Sequence, residues 1–296
     1  MQPVMVVGSG FMGAGIAQAC AQSGYRVHLH DAAPAALERA VAAIRWSLEK
    51  FDAKGLLREP AAQVLARIAP AADFEAAAAC GWIIEAVYED EALKKELFRE
   101  LDGRMSPEAL LATNTSSIPV TRLAEAVSRP ERVLGLHFFG PVPFMGLVEV
   151  VRGEKTSDEA FEAGAAFVRS LGKKPVLVRR DIPGFVMNRI FSAAFRECCE
   201  IVAAGIASVP DIDEGMRLAY GWNIGPFEIA DNAGLDTFLR VGRSMESLGA
   251  GHLAERTGLI ARRVAAGRLG RKAGRGFYRY DEKGRKLPGG GDDDGI

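Results

Sequence analysis

The chain is predicted to fold as α/β followed by all-α: an N-terminal doubly wound, mostly parallel sheet, then an all-helical C-terminal domain. Three observations predict this. Up to Val178, short apolar runs of strand length alternate with stretches of helical periodicity, the pattern of parallel strands joined by crossover helices. The first run, Val4 to Val7, breaks at Gly8, Gly10 and Gly13 in the spacing G-x-G-x-x-G and continues as a small-residue helix through Ala17, Ala19 and Ala21. From Gly184 on, helical periodicity persists without strands, and the next strand-like stretch is Gly276 to Tyr280. The expected division is residues 1–182, residues 183–282 and a flexible tail over 283–296, where Pro288 to Asp294 has nothing to bury.

The glycine turn predicts a Rossmann-type dinucleotide site. Gly8 permits the sharp turn after the strand, Gly10 lets backbone N–H groups approach a pyrophosphate, and Gly13 lets the helix lie close to the sheet. Ser9, Phe11 and Met12 complete the turn, and the helix N-terminus faces the anion. A second strand-like run, Arg26 to His30, ends at Asp31, about 20 residues beyond the glycines as this fingerprint requires. A carboxylate there accepts ribose hydroxyls and repels a 2′-phosphate, which favours NAD over NADP.

Taking the chain onward, Pro34 to Lys50 reads as the crossover helix, with Leu37, Val41, Ile44 and Leu48 on one face. A poor strand is expected around Arg67 to Ala69, a buried one at Trp82 to Val87, and another at Leu110 to Thr113 that delivers Asn114, Thr115, Ser116 and Ser117. Between them, Glu91 to Leu101 reads as an amphipathic helix with Leu93, Leu97, Phe98 and Leu101 inward and Lys94, Lys95 and Arg99 elsewhere. Val133 to Leu136 leads to His137; prolines 141 and 143 turn the chain before the strand Leu147 to Val151, and a helix from Ser157 to Leu171 precedes the strand Pro175 to Val178. Later helices are expected over residues 185–204, 212–219, 227–230, 235–248 and 253–266.

Composition narrows the function class. Of 296 residues, 37 are basic and 38 acidic, so nothing favours a nucleic-acid partner. No apolar run reaches the ~20 residues of a membrane span and no basic leader with a cleavage site is recognisable, so a cytoplasmic protein is expected. The four cysteines show no C-x-x-C spacing and read as buried free thiols, and no metal site is expected.

Hydride transfer from an alcohol to nicotinamide needs a base for the hydroxyl proton. His137 suits it, at a strand exit and with an imidazole pKa ordinarily ~6.5. Glu149 lies beyond the proline turn, where a chain reversal brings its carboxylate to the other ring nitrogen, fixing the tautomer.

These residues carry a resemblance to the short-chain L-3-hydroxyacyl-CoA dehydrogenases, including the 3-hydroxybutyryl-CoA dehydrogenases. The matching blocks are Val7 to Ala17, Asn114 to Ser117, His137 to Phe139, Leu147 to Val150, Pro183 to Arg189, Gly225 to Glu228 and Gly274 to Tyr278, in family order over nearly the whole chain. The resemblance implies reversible, NAD-dependent oxidation of a (3S)-3-hydroxyacyl-CoA, with His137 as base, Glu149 as its partner, and Ser116 and Asn188 bonding the substrate's reacting oxygens. It implies cofactor contacts at Gly8, Ser9, Gly10, Phe11, Met12, Gly13, Asp31, Glu89, Lys94, Ser116 and Lys272, coenzyme A contacts at Ser47 and Lys54, and a homodimer through the helical domain.

Two positions depart from the family pattern. Gly140 stands where Asn is usual and Gly146 where Lys is usual, which predicts either a water in place of the missing amide or a reshaped pocket, and a larger or differently substituted acyl group. Other readings are weaker. A Ser116, His137 and Glu149 hydrolase triad lacks the G-x-S-x-G elbow. A structural crystallin-like role does not explain an intact His137 and Glu149. A related dehydrogenase of a free hydroxy acid such as carnitine or gulonate is the serious alternative, and the Ser47 and Lys54 matches weigh against it.

Overall fold

The computed structural model describes residues 1–289; residues 290–296 of the expected flexible tail lie outside them. The described chain divides into two compact units, Met1–Phe185 and the residues from Val186 on.

In the first unit the elements run β1 (Val4–Val7), α1 (Phe11–Gln22), β2 (Val27–His30), α2 (Pro34–Ala53), α3 (Ala61–Leu65), β3 (Ile68–Ala71), β4 (Trp82–Glu85), α4 (Glu91–Asp102), β5 (Leu110–Thr113), α5 (Val120–Ala124), β6 (Val133–Phe138), β7 (Leu147–Val151), α6 (Asp158–Ser170) and β8 (Lys174–Val178). The strands form one eight-stranded sheet in the order β3-β2-β1-β4-β5-β6-β7-β8. Every neighbouring pair is parallel except β6 with β7. Helices on both faces bury the central strands, which is why β1 reads Val-Met-Val-Val without alternation. The order reverses at β1, so the carboxyl ends of β1 and β4 open the crevice in which such sheets bind ligands.

One helix turns a different face inward from that expected. Asp90 caps α4 by accepting from the Leu93 N–H at 2.9 Å, and this sets Lys94, Phe98 and Leu101 against the sheet. Lys94 is 1% exposed and Leu93 41% exposed, the reverse of the amphipathic reading. The reason is a carboxylate, Glu85, at the buried end of β4. Helical side chains lean toward the N-terminus, and the Lys94 stem reaches back to that carboxylate.

The second unit holds α7 (Met187–Ala203), α8 (Val209–Tyr220), α9 (Pro226–Ala233), α10 (Leu235–Met245) and α11 (Leu259–Ala265). The last two are shorter than periodicity predicts: α10 gives way after Met245 to a turn in which Gly249 takes φ +84°, and α11 begins only after Gly258, at a left-handed φ of +75°. The core gathers Phe195, Phe227, Leu235, Leu259, Ile260 and Phe277. Two buried carboxylates tie the chain together within it. Asp213 accepts from the Phe227 and Glu228 N–H groups at the start of α9 and from the Tyr278 hydroxyl. Asp231 accepts from the Phe277 and Tyr278 N–H groups and the Tyr280 hydroxyl. Part of the expected tail is also tied: the Leu287 N–H donates to Arg279 O at 2.9 Å and Lys286 pairs with Glu228 at 2.6 Å. No helix among the described residues is long and apolar enough to cross a membrane.

Candidate active site

At the end of β1, Gly8 has φ +97°, and a Cβ on it would lie 2.6 Å from Ala86 O. Gly13 has no room either, since its Cβ would come within 1.8 Å of Gly8 O. Gly10 differs: nothing lies within 4 Å of the place its Cβ would take. Packing therefore explains two of the three glycines, and the third leaves a cradle before an α1 N-terminus that has no side-chain cap. That cradle and its N–H donors fit a pyrophosphate. Asp31, following β2, is bound by Ser9 at 2.8 Å through both its N–H and its hydroxyl, and by the Ala33 N–H at 3.0 Å. Burial raises this carboxyl, but the donors of Ala33 and Ser9 and the nearby His30 outweigh it and hold it below the ordinary aspartate range. Phe11 and Gly10 are exposed and Met12 half-buried at the same turn.

Beside this turn, a polar network joins the ends of β4 and β5. Glu85 accepts from Lys94 Nζ at 2.6 Å, from Thr113 Oγ1 at 2.7 Å and from the Val87 N–H at 2.7 Å. Lys94 also reaches Glu89 at 3.3 Å. Glu89 in turn accepts from the Thr115 hydroxyl, the N–H groups of Ser116 and Ser117 at 3.2 Å each, and Ser117 Oγ at 2.9 Å. Desolvation raises the Glu89 carboxyl, yet the Lys94 ammonium and these donors hold it low. The network fixes the segment bearing Ser116, which is half-buried. Sequence reasoning placed Thr115 and Ser117 at this strand exit without their partner Glu89, and it missed Glu85 and Thr113; a lone carboxylate in the apolar run Trp82 to Val87 was the available signal.

At the end of β6, His137 stands directly opposite Glu149 of antiparallel β7. Their side chains share a face, and His137 Nδ1 lies 2.7 Å from Glu149 Oε2 with both groups buried. A carboxylate only accepts, so Nδ1 carries a proton, and in the neutral imidazole the lone pair is then on Nε2. Phe139 and Phe185 flank the imidazole at 4.5 and 5.6 Å between ring centres. Asn114 Oδ1 accepts from the Phe138 N–H at 2.9 Å, linking the β5 exit to the histidine strand. All three clusters lie at one end of the sheet. The cleft of about 530 Å³ lined by Arg152, Arg179 and Arg180 lies at the other, because antiparallel β7 and its neighbour β8 end there.

The remaining predicted residues are placed as follows. Ser47, half-buried, lies on α2, and exposed Lys54 follows its end. Asn188 and Lys272 belong to the second unit: Asn188 is half-buried in the first turn of α7, and Lys272 pairs with Asp236 at 2.6 Å. The departure at Gly140 is no hole, since a Cβ there would lie 2.7 Å from the Phe11 ring; at Gly146 nothing lies within 4 Å.

A glycine cradle, an acidic residue after β2 and a histidine braced by a glutamate at the same sheet end define a dinucleotide-dependent dehydrogenase of the two-unit kind. Residues 3–182 match the NAD binding domain of 3-hydroxyacyl-CoA dehydrogenase and residues 184–280 its C-terminal domain. The chain belongs to the 3-hydroxyacyl-CoA dehydrogenase family, and its cofactor is NAD. It is 43% identical over 278 residues to a probable 3-hydroxybutyryl-CoA dehydrogenase of Deinococcus radiodurans, covering 93% of this chain and 99% of that relative. Among solved structures it resembles FadB2 of M. tuberculosis, with a TM-score of 0.89 and 38% identity over 95% of this chain and 99% of that one. It also resembles the (S)-3-hydroxybutyryl-CoA dehydrogenase PaaH1 of Ralstonia eutropha, with a TM-score of 0.87 and 41% identity over 95% and 100%.

Proposed function

We propose that this protein catalyses the reversible oxidation of a (3S)-3-hydroxyacyl-CoA to the 3-oxoacyl-CoA in fatty-acid or butanoate-type metabolism. The observation that carries this reading is the His137 and Glu149 pair at the sheet end that also bears the dinucleotide cradle. His137 Nε2 takes the hydroxyl proton, and Glu149 at Nδ1 holds the tautomer and stabilises the imidazolium that forms. NAD, when bound, accepts the hydride. Ser116 and Asn188 donate to the reacting oxygen without competing for its proton. Gly8, Ser9, Gly10, Phe11, Met12 and Gly13 hold the pyrophosphate, Asp31 the ribose, and Glu89, Lys94 and Lys272 complete the cofactor site, directly or by shaping it. Ser47 and Lys54 hold the coenzyme A tail, an exposed ammonium suiting a phosphate.

The helical unit, taken as residues 183–282, serves substrate binding and dimerisation, in keeping with the exposed Ile190, Ile206, Leu218 and Tyr220 on its surface. A cytoplasmic location fits four free, buried cysteines, with burial pushing the Cys20 thiol up to about 12 and those of Cys80 and Cys198 to about 11. Open space at Gly146 supports tolerance of acyl groups beyond four carbons. The test is NADH consumption with a chain-length series of 3-oxoacyl-CoA thioesters against free oxo acids. Thioester turnover that extends past acetoacetyl-CoA is expected; turnover of the free acids alone would reject the thioester, and strict four-carbon preference would reject the larger pocket.

A further inference from the structure

The chain leaves the catalytic histidine through a short turn, Pro141 to Met145, that is anchored at three points. Val142 is buried against α1 where Gly15 makes room, a Cβ there coming within 2.9 Å of the Val142 Cβ. Phe144 packs on Phe51 of α2 at 4.6 Å between ring centres. The third anchor is Lys173, just before β8, whose Nζ donates to Val142 O and to Met145 O at 2.7 Å each. Among the described residues no carboxylate pairs with this ammonium; its partners are two backbone carbonyls, and the turn is what it holds. Burial also lowers its pKa from the ordinary lysine value.

The held turn presents apolar surface. Phe144 is 61% and Met145 38% exposed. Ser47, Phe51 and Lys54 follow one another at spacings of four and three, so they share one face of α2 and its end. Phe144, packed on Phe51, therefore lies against the face of α2 that carries Ser47 and leads to Lys54. An acyl-pantetheine arm offers apolar stretches, its acyl chain, methylene pairs and geminal methyls, between two amides, and it is anionic at its tail, a combination that an apolar wall beside a lysine suits.

We propose that Lys173 is a positioning residue for the thioester: it holds the Pro141 to Met145 turn so that Phe144 and Met145 form an apolar wall beside Ser47 and Lys54. This rests on the thioester reading given above. The wall touches substrate, and Lys173 acts through it.

The experiment compares wild type, Lys173→Met, Lys173→Arg and Phe144→Ala in steady-state reduction of acetoacetyl-CoA and its longer homologues. In Lys173→Met the KM for the thioester is expected to rise roughly tenfold while the KM for NADH and kcat change less than about threefold. Lys173→Arg, which donates to the same two carbonyls, restores most of the loss. Phe144→Ala raises the thioester KM with the clamp intact, and it reads the wall directly if Lys173→Met fails to fold. A structural role alone would lower the melting temperature and move both KM values together, which overturns the proposal, as do unchanged thioester KM values in Lys173→Met or in Phe144→Ala. Wild type that turns over no thioester instead overturns the functional reading on which the wall's substrate depends.

Discussion

The His137 imidazole has one hydrogen-bonding partner among the described residues, Glu149, so its two ring nitrogens are unequal and only Nε2 is left for substrate. His137→Ala is expected to lower kcat for acetoacetyl-CoA reduction by roughly 10²–10⁴-fold with folding intact, the contribution of a positioned proton-transfer group. Glu149→Ala should keep weak activity, because the base survives while its orientation and charge partner are lost; full activity in either variant, read by NADH absorbance, would remove the pair from the mechanism. Asp31 offers a second residue-level test. Its carboxylate is held by Ser9 and Ala33, and Asp31→Ala is expected to raise the KM for NAD by roughly tenfold or more, the value of hydrogen bonds to a charged group. Since its pKa is lowered, the carboxylate stays charged as pH falls, and NAD affinity measured by fluorescence titration should stay level from neutral pH down to about 5, above the ordinary aspartate value of ~3.9. A loss of affinity already at pH 6 would show that another group controls binding.

Helix α4 shows how far periodicity reaches and where it stops. Its leucines and lysines suggest an ordinary amphipathic face, yet Lys94 is buried on Glu85 and Glu89. Lys94→Met leaves Glu85 buried without its cation and is expected to cost about 3–5 kcal/mol in urea denaturation, whereas an exposed pair would cost under about 1 kcal/mol. The double variant Glu85→Gln with Lys94→Met should recover part of that loss; equal losses in single and double variants would mean that Lys94 contributes through its stem. Other elements were legible because a local rule and the fold agree. The break from β1 into α1 follows from three glycines at fixed spacing, and β6 to β7 from two prolines between apolar runs, which is why His137 and Glu149 were nameable before their register was known. β3, predicted as a poor strand over residues 67–69, is an edge strand over Ile68–Ala71 that includes Pro70, so weak strand character in its sequence is consistent with its place. What sequence did not reveal is long-range polar pairing: Thr115 and Ser117 on Glu89, or Lys173 on the Val142 and Met145 carbonyls, arise between segments whose separation carries no periodic signal.

At the scale of the whole molecule, stability should respond to pH in two opposed ways. Asp31 and Glu89 have lowered pKa values in the folded chain, so the stability they contribute is present above the unfolded carboxylate pKa and is lost as pH falls through the folded one. Asp231 in the second unit runs the other way. Burial raises its carboxyl from 3.8 to about 6, the donors of Phe277, Tyr278 and Tyr280 offsetting this only in part. Between those values the folded chain binds the proton and the unfolded chain does not, so the Asp231 contribution falls as pH rises from about 4 to about 6. A shift of about 2 pKa units corresponds to about 3 kcal/mol, the span over which this one group should tilt the profile. Asp231→Asn cannot titrate, and its amide places a donor against groups that already donate, so it should be less stable than wild type at every pH. The difference in urea midpoint between the two proteins isolates the carboxyl from every other titrating group. That difference is expected to be largest near pH 4 and to shrink toward pH 7; a difference that instead grows with pH would mean that Asp231 is held as a carboxylate by its donors, and that the helical unit gains stability from its charge.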